Sequence, residues 1–194
     1  MTTRTDDDPS GTALERAEAA ATPTIRPETP DDIDAISELH RTSFRRPAEA
    51  ELVDAIRRSA HFIPELSLVA ELNGRIVGHL LLSRVELVPA AGDAVPLLAL
   101  APVAVDPLHQ GRGIGTLLTR AGLALADVRG IEAGVAVLGS PDFYRRFGFV
   151  AAEAEGIDGP WDAPPGVFQV LALGSAGPEL PEGVVTYPAP FSLV

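Results

Sequence analysis

The sequence predicts an α/β protein whose helices pack against a mixed β-sheet. Apolar residues recur three and four positions apart in four segments, as they do along one face of a helix. Short apolar runs typical of buried strands lie between these segments, and an Asn-Gly pair joins two of the runs. Along the chain the signals give the order β-α-α-β-β-β-α-β-α-β.

The first predicted elements are a short strand over residues 24–26 and two amphipathic helices. A Thr-Pro-Asp-Asp segment over 29–32 offers a capping-box-like start with proline at the first helical position. Apolar residues then follow at helical spacing, so a helix is predicted over 30–44. The same periodicity predicts a second helix over 48–59.

Three strands are predicted next, over residues 66–72, 75–88 and 96–105. The pair Asn73–Gly74 separates the first two, and both residue types accept the positive φ angles of a tight hairpin turn. Pro102 lies inside the third strand. Because proline cannot donate to a strand ladder, we expect a bulge or a local break in pairing there.

The remaining predicted elements alternate between helix and strand. A helix over 113–128 ends at Gly130, and a short buried strand follows over 133–138. A Ser-Pro-Asp start predicts a short helix over 141–147. The last predicted strand covers 167–173.

Composition divides the chain into three parts. Residues 1–23 are rich in Thr, Asp, Ala and Glu and predict a flexible acidic leader. A single domain is expected over 24–175, and the Pro/Gly-rich residues 176–194 predict a surface tail. The most apolar run, from Val95 to Val105, is well short of the roughly 20 residues that a bilayer requires. We therefore expect a cytoplasmic protein without a membrane partner.

The charged residues exclude several classes of function. The chain has 27 acidic and 15 basic residues, hence a formal net charge of −12, which disfavours a nucleic-acid partner. All the basic residues are arginines, so mechanisms that need a lysine are excluded. No cysteine is present, which removes thiolate catalysis and disulfides. The four histidines are scattered without metal-ligand spacing, so no metal site is predicted.

The segment from Val103 to Thr116 carries the strongest chemical signal. A buried strand turns at Asp106 and enters a glycine-rich loop that opens a helix. Such a loop lets several backbone N–H groups converge at a helix N-terminus, which makes an anion site suited to a diphosphate. The alternative is a plain strand-to-helix turn.

Two kinds of nucleotide loop do not fit these glycines. A dinucleotide fingerprint requires Gly-x-Gly-x-x-Gly, whereas here the spacing is Gly111-x-Gly113-x-Gly115. A Walker loop requires a lysine, which the chain lacks.

The pattern Gln110-x-x-Gly113-x-Gly115 resembles the acyl-CoA pyrophosphate loop of the GNAT superfamily of N-acetyltransferases. About thirty residues on, the run from Tyr144 to Phe149 is similar to the family's Tyr-x-x-Phe-Gly-Phe ending. The segment 156–161 resembles a small, largely uncharacterised bacterial subgroup of that family. The likeness covers residues 24 to about 173.

The resemblance implies a mostly antiparallel sheet with two splayed parallel central strands, 98–105 and 133–138, and helices on both faces. It implies that acetyl-CoA is the acyl donor, that Tyr144 protonates the departing thiolate, and that a backbone N–H near Val103 or Ala104 polarises the acetyl carbonyl. Ser140 departs from the Asn or Asp that many members carry. The implied cofactor-binding residues are Val103, Ala104, Val105, Gln110, Gly111, Arg112, Gly113, Ile114, Gly115 and Thr116.

The predicted function is transfer of an acetyl group to an amine by direct attack in a ternary complex, since no cysteine is available to carry an acyl-enzyme. A non-catalytic acyl-CoA-binding or regulatory module is the alternative. The expected partner is a small-molecule or peptide amine, and a homodimer is the candidate assembly. His79 is interpreted as a hydrogen-bonded core histidine, with a base near the acceptor pocket as the alternative. Arg145 and Arg146 have two interpretations, a solvated helix face or contacts to CoA phosphates.

Overall fold

The structure of the protein, a computed structural model, describes residues 22–174 and 180–194. Apart from residues 22 and 23, the leader predicted over 1–23 therefore lies outside the described residues. Part of the predicted tail, 175–179, lies outside them as well.

The helices lie close to their predicted positions. The longest, α3, is followed by a left-handed Gly130, the residue expected to end it. The predicted helix over 141–147 is a single α-helical turn that continues as a 3₁₀ turn over Arg145–Phe147. The four α-helices of the described residues are α1 (Ile33–Phe44), α2 (Ala48–Arg57), α3 (Ile114–Arg129) and α4 (Pro141–Tyr144).

All strands of the described residues join one sheet in the order β1-β2-β3-β4-β5-β8-β6, with β9 paired to both β3 and β7. Most pairs are antiparallel; β4–β5 is a central parallel pair, and β7–β9 is a second, two-residue one. The strands are β1 (Thr24–Pro27), β2 (Ser67–Leu72), β3 (Arg75–Pro89), β4 (Val95–Val105), β5 (Gly134–Leu138), β6 (Val150–Ala151), β7 (Ile157–Asp158), β8 (Phe168–Ala172) and β9 (Gly183–Thr186).

Two predicted irregularities are present. Asn73 and Gly74 both have positive φ and link β2 to β3 in a two-residue hairpin. Opposite Pro102, the pairing of β3 and β4 shifts: Leu80 faces Val103, whereas Leu82 faces Leu100. Strand β4 therefore has one extra residue opposite β3 at this point, which is the expected bulge.

Helices cover both faces of the sheet, as predicted. On one face, Ile36 of α1 and Leu52 of α2 pack with Leu81 of β3. On the other face, Leu118 of α3 packs with Leu80 and with strands β4 and β5. No helix in the described ranges is both long and apolar enough to cross a membrane.

The prediction of a surface tail over 176–194 was wrong for its described part. Residues Gly183–Thr186 form β9, which extends the sheet beside β3. The side chains of Val185 and Phe191 are buried in the core that also contains α1 and α2. A strand with a buried valine and a buried phenylalanine beyond it stabilises the fold by removing apolar surface from water.

Candidate functional site

The parallel strands β4 and β5 pair over only three residues. Leu97–Ala99 pair with Gly134–Ala136, and no further pairing joins the two strands in the described residues. Beyond that point β4 stays paired to β3 as far as Val105, and β5 stays paired to β8 as far as Leu138. The strands therefore splay apart, and within the described residues the β5-facing edge of β4 has no strand partner from residue 100 onward, as a ligand that adds a strand requires.

A cavity of about 520 Å³ opens at this splay. Its strand walls come from residues 99–103 of β4 and 136–138 of β5, and Tyr144 of α4 lies beside them. We call it the gap cavity. Its size falls within the range of small-molecule pockets.

The predicted strand residues Val103, Ala104 and Val105 occupy different environments. Ala104 is buried opposite His79, while Val103 lines the gap cavity. The carbonyl oxygen of Val105 accepts a hydrogen bond of 3.1 Å from the hydroxyl of Ser43. It accepts another of 3.1 Å from the side-chain amide of Gln110. Val105 is therefore already engaged through its carbonyl.

The glycine-rich loop forms a second cavity of about 400 Å³, which we call the cradle. Asp106 accepts from the backbone N–H of Leu108 and starts a 3₁₀ turn, after which the chain reaches the helix N-terminus at Ile114. The first N–H groups of an α-helix have no partner within the helix, so they are free to bind an anion. The cradle is lined by Val105, His109, Gln110, Gly111, Gly113, Ile114, Gly115, Thr116, Phe143 and Arg146.

Gly113 adopts a left-handed conformation, with φ +83°, directly before α3. A Cβ atom built on it would meet no heavy atom within 4 Å, so it would project into open space. The open space beside the backbone is what the approach of a diphosphate requires. Among the predicted loop residues, Arg112 is exposed and does not line the cradle.

Helix α4 separates the two cavities. Phe143 lines the cradle and the next residue, Tyr144, lines the gap cavity. The ring of Tyr144 packs so closely on Gly139 that a Cβ there would lie 2.5 Å from it. Burial raises the pKa of Tyr144 to about 12, so its phenol stays protonated at neutral pH.

Arg146 lines the cradle and lies over the ring of Phe143, at 4.9 Å from the ring centroid. A guanidinium at the wall of an amide-rich cavity adds positive charge where an anion would bind. Of the two interpretations of this arginine, its position favours the phosphate contact. The neighbouring Arg145 is exposed and pairs with Asp142.

His79 lies outside both cavities. Its side chain is fully buried, and its Nε2 lies 3.0 Å from the hydroxyl of Ser67 and 3.3 Å from Glu28 Oε2. Its Nδ1 lies 2.9 Å from Nε2 of His40. Glu28 also accepts from Arg57 at 2.7 Å. The structure thus places His79 in a polar network of the core.

The direction of the hydrogen bonds in this network follows from Glu28. An ionised carboxylate only accepts, so Nε2 of His79 carries a proton and its Nδ1 accepts from Nε2 of His40. Burial lowers the pKa of His40 to about 3 and also lowers the pKa of His79, although Glu28 opposes that effect. Both rings are therefore neutral at pH 7. Within the described ranges, no group of three or more acidic, histidine or cysteine residues could hold a metal ion.

The gap cavity has a further wall that sequence reasoning did not identify. It combines side chains from the α1–α2 turn, the β7–β8 loop and the segment after β9, which are far apart in the chain. The only sequence signal near this wall is the segment 156–161, which contains Trp161. The residues of this wall are Phe44, Arg46, Glu49, Leu52, Trp161, Asp162, Tyr187 and Phe191.

Residues 24–152 match the family model described as the acetyltransferase (GNAT) domain. The chain belongs to the GNAT family of acetyltransferases. The resemblance rests on the glycine-rich loop between β4 and α3 and on the run from Tyr144 to Phe149, and the splayed strands that it implies are present.

Among curated proteins the chain is similar to the uncharacterized N-acetyltransferase YhbS of Escherichia coli strain K12. The two are 34% identical over 164 residues, which cover 84% of this chain and 95% of the relative. The uncharacterized N-acetyltransferase YjhQ of the same strain is 34% identical over 69% of this chain and 73% of its own length.

Two solved GNAT structures have a similar fold and contain CoA or acetyl-CoA. The complex of E. coli YhbS with CoA has a TM-score of 0.77 and 31% identity, with 89% of this chain and 93% of that chain covered. The complex of a Brucella melitensis GNAT acetyltransferase with acetyl-CoA has a TM-score of 0.70 and 37% identity, covering 87% and 97%.

Proposed function

We propose that this GNAT acetyltransferase moves an acetyl group from acetyl-CoA to an amine by direct attack within a ternary complex. The observation that carries the proposal is the arrangement of two cavities on either side of α4. One is lined by the amide-rich loop, and the other opens at the splayed strands, with Tyr144 beside it. A diphosphate fits the first, and an extended amide-containing arm fits the second.

The cradle supports the diphosphate half of the proposal. The loop residues Gln110, Gly111 and Gly113–Thr116 supply backbone N–H groups, and Arg146 adds a positive charge. Each charge-assisted hydrogen bond contributes on the order of 1.5–3 kcal/mol. The side chain of Gln110 has a structural role, because its amide donates to the carbonyl of Val105 and holds the loop against β4. Arg112, which is exposed, binds only through its backbone in this proposal.

The edge of β4 supports the pantetheine half. The β5-facing edge from residue 100 onward has no strand partner in the described residues, so an extended arm can pair with it as an added strand. Because the Val105 carbonyl is engaged by Ser43 and Gln110, and Ala104 is paired with His79 of β3, the pairing falls on Val103. A backbone N–H near Val103 polarises the acetyl carbonyl and stabilises the oxyanion that forms on attack.

The chemical step follows from the residues available. The neutral amine attacks the acetyl carbon, the C–S bond breaks, and Tyr144 donates its proton to the leaving thiolate. The nitrogen loses one proton as the amide forms, and this proton replaces the one that Tyr144 gave. An alkyl amine with a pKa near 10.4 is mostly protonated at pH 7, which adds roughly 4.6 kcal/mol to the barrier unless a group accepts its proton. The chain contains no cysteine, so no acyl-thiol intermediate on the protein is available.

Ligand-dependent unfolding of the whole chain tests the proposal. Acetyl-CoA at 100 times its Kd should stabilise the protein by about 2.7 kcal/mol, seen as a higher Tm. ATP and NAD carry phosphates but lack the pantetheine arm, so they should shift the Tm far less. Release of free thiol from acetyl-CoA in the presence of a panel of amines then measures transfer. Equal stabilisation by NAD, or no thiol release with any amine, would contradict the proposal.

A further inference from the structure

One wall of the gap cavity consists of aromatic rings that have no part in the acetyl-CoA binding proposed above. Trp161 and Tyr187 pack edge to face with ring centroids 4.5 Å apart, and Phe191 continues the cluster at 4.9 Å from Tyr187. Phe44, at the end of α1, also lines the cavity and is 37% exposed. Aromatic rings around a cavity favour an apolar or ring-bearing ligand and also attract cations.

A buried carboxylate lies in the same wall. The side chain of Glu49 is only 6% exposed, yet it lines the gap cavity from the start of α2. Its one ion-pair partner in the described residues is Arg46, whose Nε donates to Oε1 at 2.8 Å and to Oε2 at 3.1 Å. Arg46 also donates through a terminal guanidinium nitrogen, and its own side chain is 58% exposed. A carboxylate that is buried is thus neutralised by a cation that is largely in water.

The unequal burial makes the pair displaceable. Releasing Arg46 to solvent costs little, because a mostly exposed arginine contributes little net stability to an ion pair. Leaving Glu49 without any cation costs more, because a buried carboxylate without a partner is unfavourable. A ligand that brings its own cation can therefore replace the arginine.

We propose that Arg46 occupies the place of the acceptor's ammonium group, and that the acceptor is a primary alkylamine attached to an apolar ring. Glu49 binds the ammonium after Arg46 leaves, and Trp161, Tyr187 and Phe44 contact the ring. The proposal rests on the acetyl transfer proposed above and assigns its acceptor class.

The charges of the cavity agree with a cationic acceptor. Among the described lining residues, Arg46, Glu49 and Asp162 are the charged ones, and Tyr144 and Tyr187 are the titratable phenols. Burial raises the pKa of both phenols, so they are neutral at pH 7. With Arg46 moved into solvent, the wall carries two carboxylates. An acceptor with a carboxylate of its own is repelled by them.

The same carboxylate accepts the proton that the amine must lose. As the ring of the acceptor covers the pair of Glu49 and the ammonium, water leaves, and burial disfavours the two separate charges. One proton passes from the ammonium nitrogen to a carboxylate oxygen of Glu49, and the neutral amine attacks. After attack, Tyr144 gives its proton to the CoA sulfur as the C–S bond breaks, and the second proton lost by the nitrogen restores the phenol of Tyr144. Glu49 returns its proton to solvent when the amide leaves.

Binding to the complex of the protein with CoA tests recognition without turnover. The probe is 2-phenylethylamine, compared with 2-phenylethanol, butylamine and phenylalanine. We expect each of the three comparators to bind at least about tenfold more weakly, because each lacks the cation, lacks the ring or adds a carboxylate. Equal binding of 2-phenylethanol, or tighter binding of phenylalanine, would overturn the proposal, since the latter would make Arg46 the binding group.

Variants of α2 test the role of Glu49 in turnover. Glu49→Gln should lower kcat/KM for 2-phenylethylamine about 100-fold at pH 7, because both the cation partner and the proton acceptor are lost. The defect should shrink to about tenfold or less at about pH 9.5, where more of the amine is neutral. Glu51→Gln removes the same charge from an exposed position of the same helix and should behave as wild type. A defect that is independent of pH would show that Glu49 is structural.

Arg46→Gln is the converse variant. It removes the internal competitor and should lower the KM for 2-phenylethylamine a few-fold. A higher KM would overturn the proposal. Selective binding of the amine to the CoA complex without thiol release from acetyl-CoA would instead leave this inference standing and contradict the proposed transfer. Thiol release with butylamine as fast as with 2-phenylethylamine would support the proposed transfer and contradict this inference.

Discussion

The cradle and the gap cavity are built in opposite ways. The cradle is formed mainly by one continuous stretch, residues 105–116, in which three glycines leave the backbone uncovered by side chains. The far wall of the gap cavity is formed by side chains from segments as distant as Phe44, Trp161 and Tyr187. A backbone surface of consecutive residues suits a diphosphate common to a family, whereas a wall of separate side chains can change one residue at a time. Donor recognition and acceptor recognition are thereby separated in this fold.

The largest expected effect comes from the residue between the two cavities. Tyr144→Phe keeps the ring that packs on Gly139 and removes only the hydroxyl. Burial keeps the phenol protonated at neutral pH but also makes it a weak acid, so its loss should lower kcat only about 100-fold, the low end for general-acid catalysis. The KM for acetyl-CoA should stay nearly constant, because the cradle is untouched.

Steady-state kinetics with saturating amine measures this prediction. Phe147→Leu, on the same turn but outside both cavities, controls for a general loss of packing. Turnover of Tyr144→Phe within about twofold of wild type at every pH would mean that the hydroxyl is idle and the assignment of Tyr144 is withdrawn.

The contrast between the cavities also explains what the sequence could predict. The loop is contiguous, so its glycine spacing, its position between strand and helix and the bulge at Pro102 were all visible in the sequence. The aromatic wall was not, because Trp161 and Tyr187 meet only after β9 pairs with both β3 and β7. No local pattern encodes that pairing.

The missed strands have a similar cause. Strands β6 and β7 have two residues each, too few for an alternating pattern. The residues of β9, Gly183–Thr186, do contain two consecutive valines followed by a threonine, which is a weak strand signal. The surrounding prolines and glycines outweighed it, and the segment was interpreted as a surface tail. The described fold shows that proline-rich composition at this end accompanies a paired strand.

A second prediction concerns the stability that the fold loses at acidic pH through His40, which lies in the core next to Phe44. His40 stacks on Phe44 at a ring distance of 5.9 Å and donates to His79. Because burial holds the folded pKa of His40 near 3, below the ordinary value of 6.5, its contribution to stability is present above pH 6.5 and is lost as the pH falls towards 3. The unfolded chain takes up the proton first. Between pH 7 and pH 5 the loss should be about 2 kcal/mol for His40.

Urea unfolding at both pH values measures this loss, and His40→Gln tests its origin. Glutamine retains an N–H donor for His79 but does not titrate, so the variant should lose less stability on acidification than wild type does. His61→Gln, a substitution of a histidine outside the network, serves as the control. Equal acid sensitivity of His40→Gln and wild type would show that other groups cause it.

The smallest expected effect tests whether the cradle acts through its backbone. Gly113→Ala places a methyl group in the open space beside the loop and forces alanine into a left-handed φ, which costs on the order of 1–2 kcal/mol of stability. We expect the Kd for acetyl-CoA to rise about tenfold, equivalent to 1.4 kcal/mol, while the fold survives.

Gly92→Ala is the matched control. Gly92 also has a positive φ and open space around its Cβ position, but it lies in the β3–β4 turn, away from the cradle. The control should lose similar stability and bind acetyl-CoA normally. If calorimetric titration gave Gly113→Ala a wild-type Kd, the diphosphate would not approach this backbone, and the loop would be a plain strand-to-helix turn.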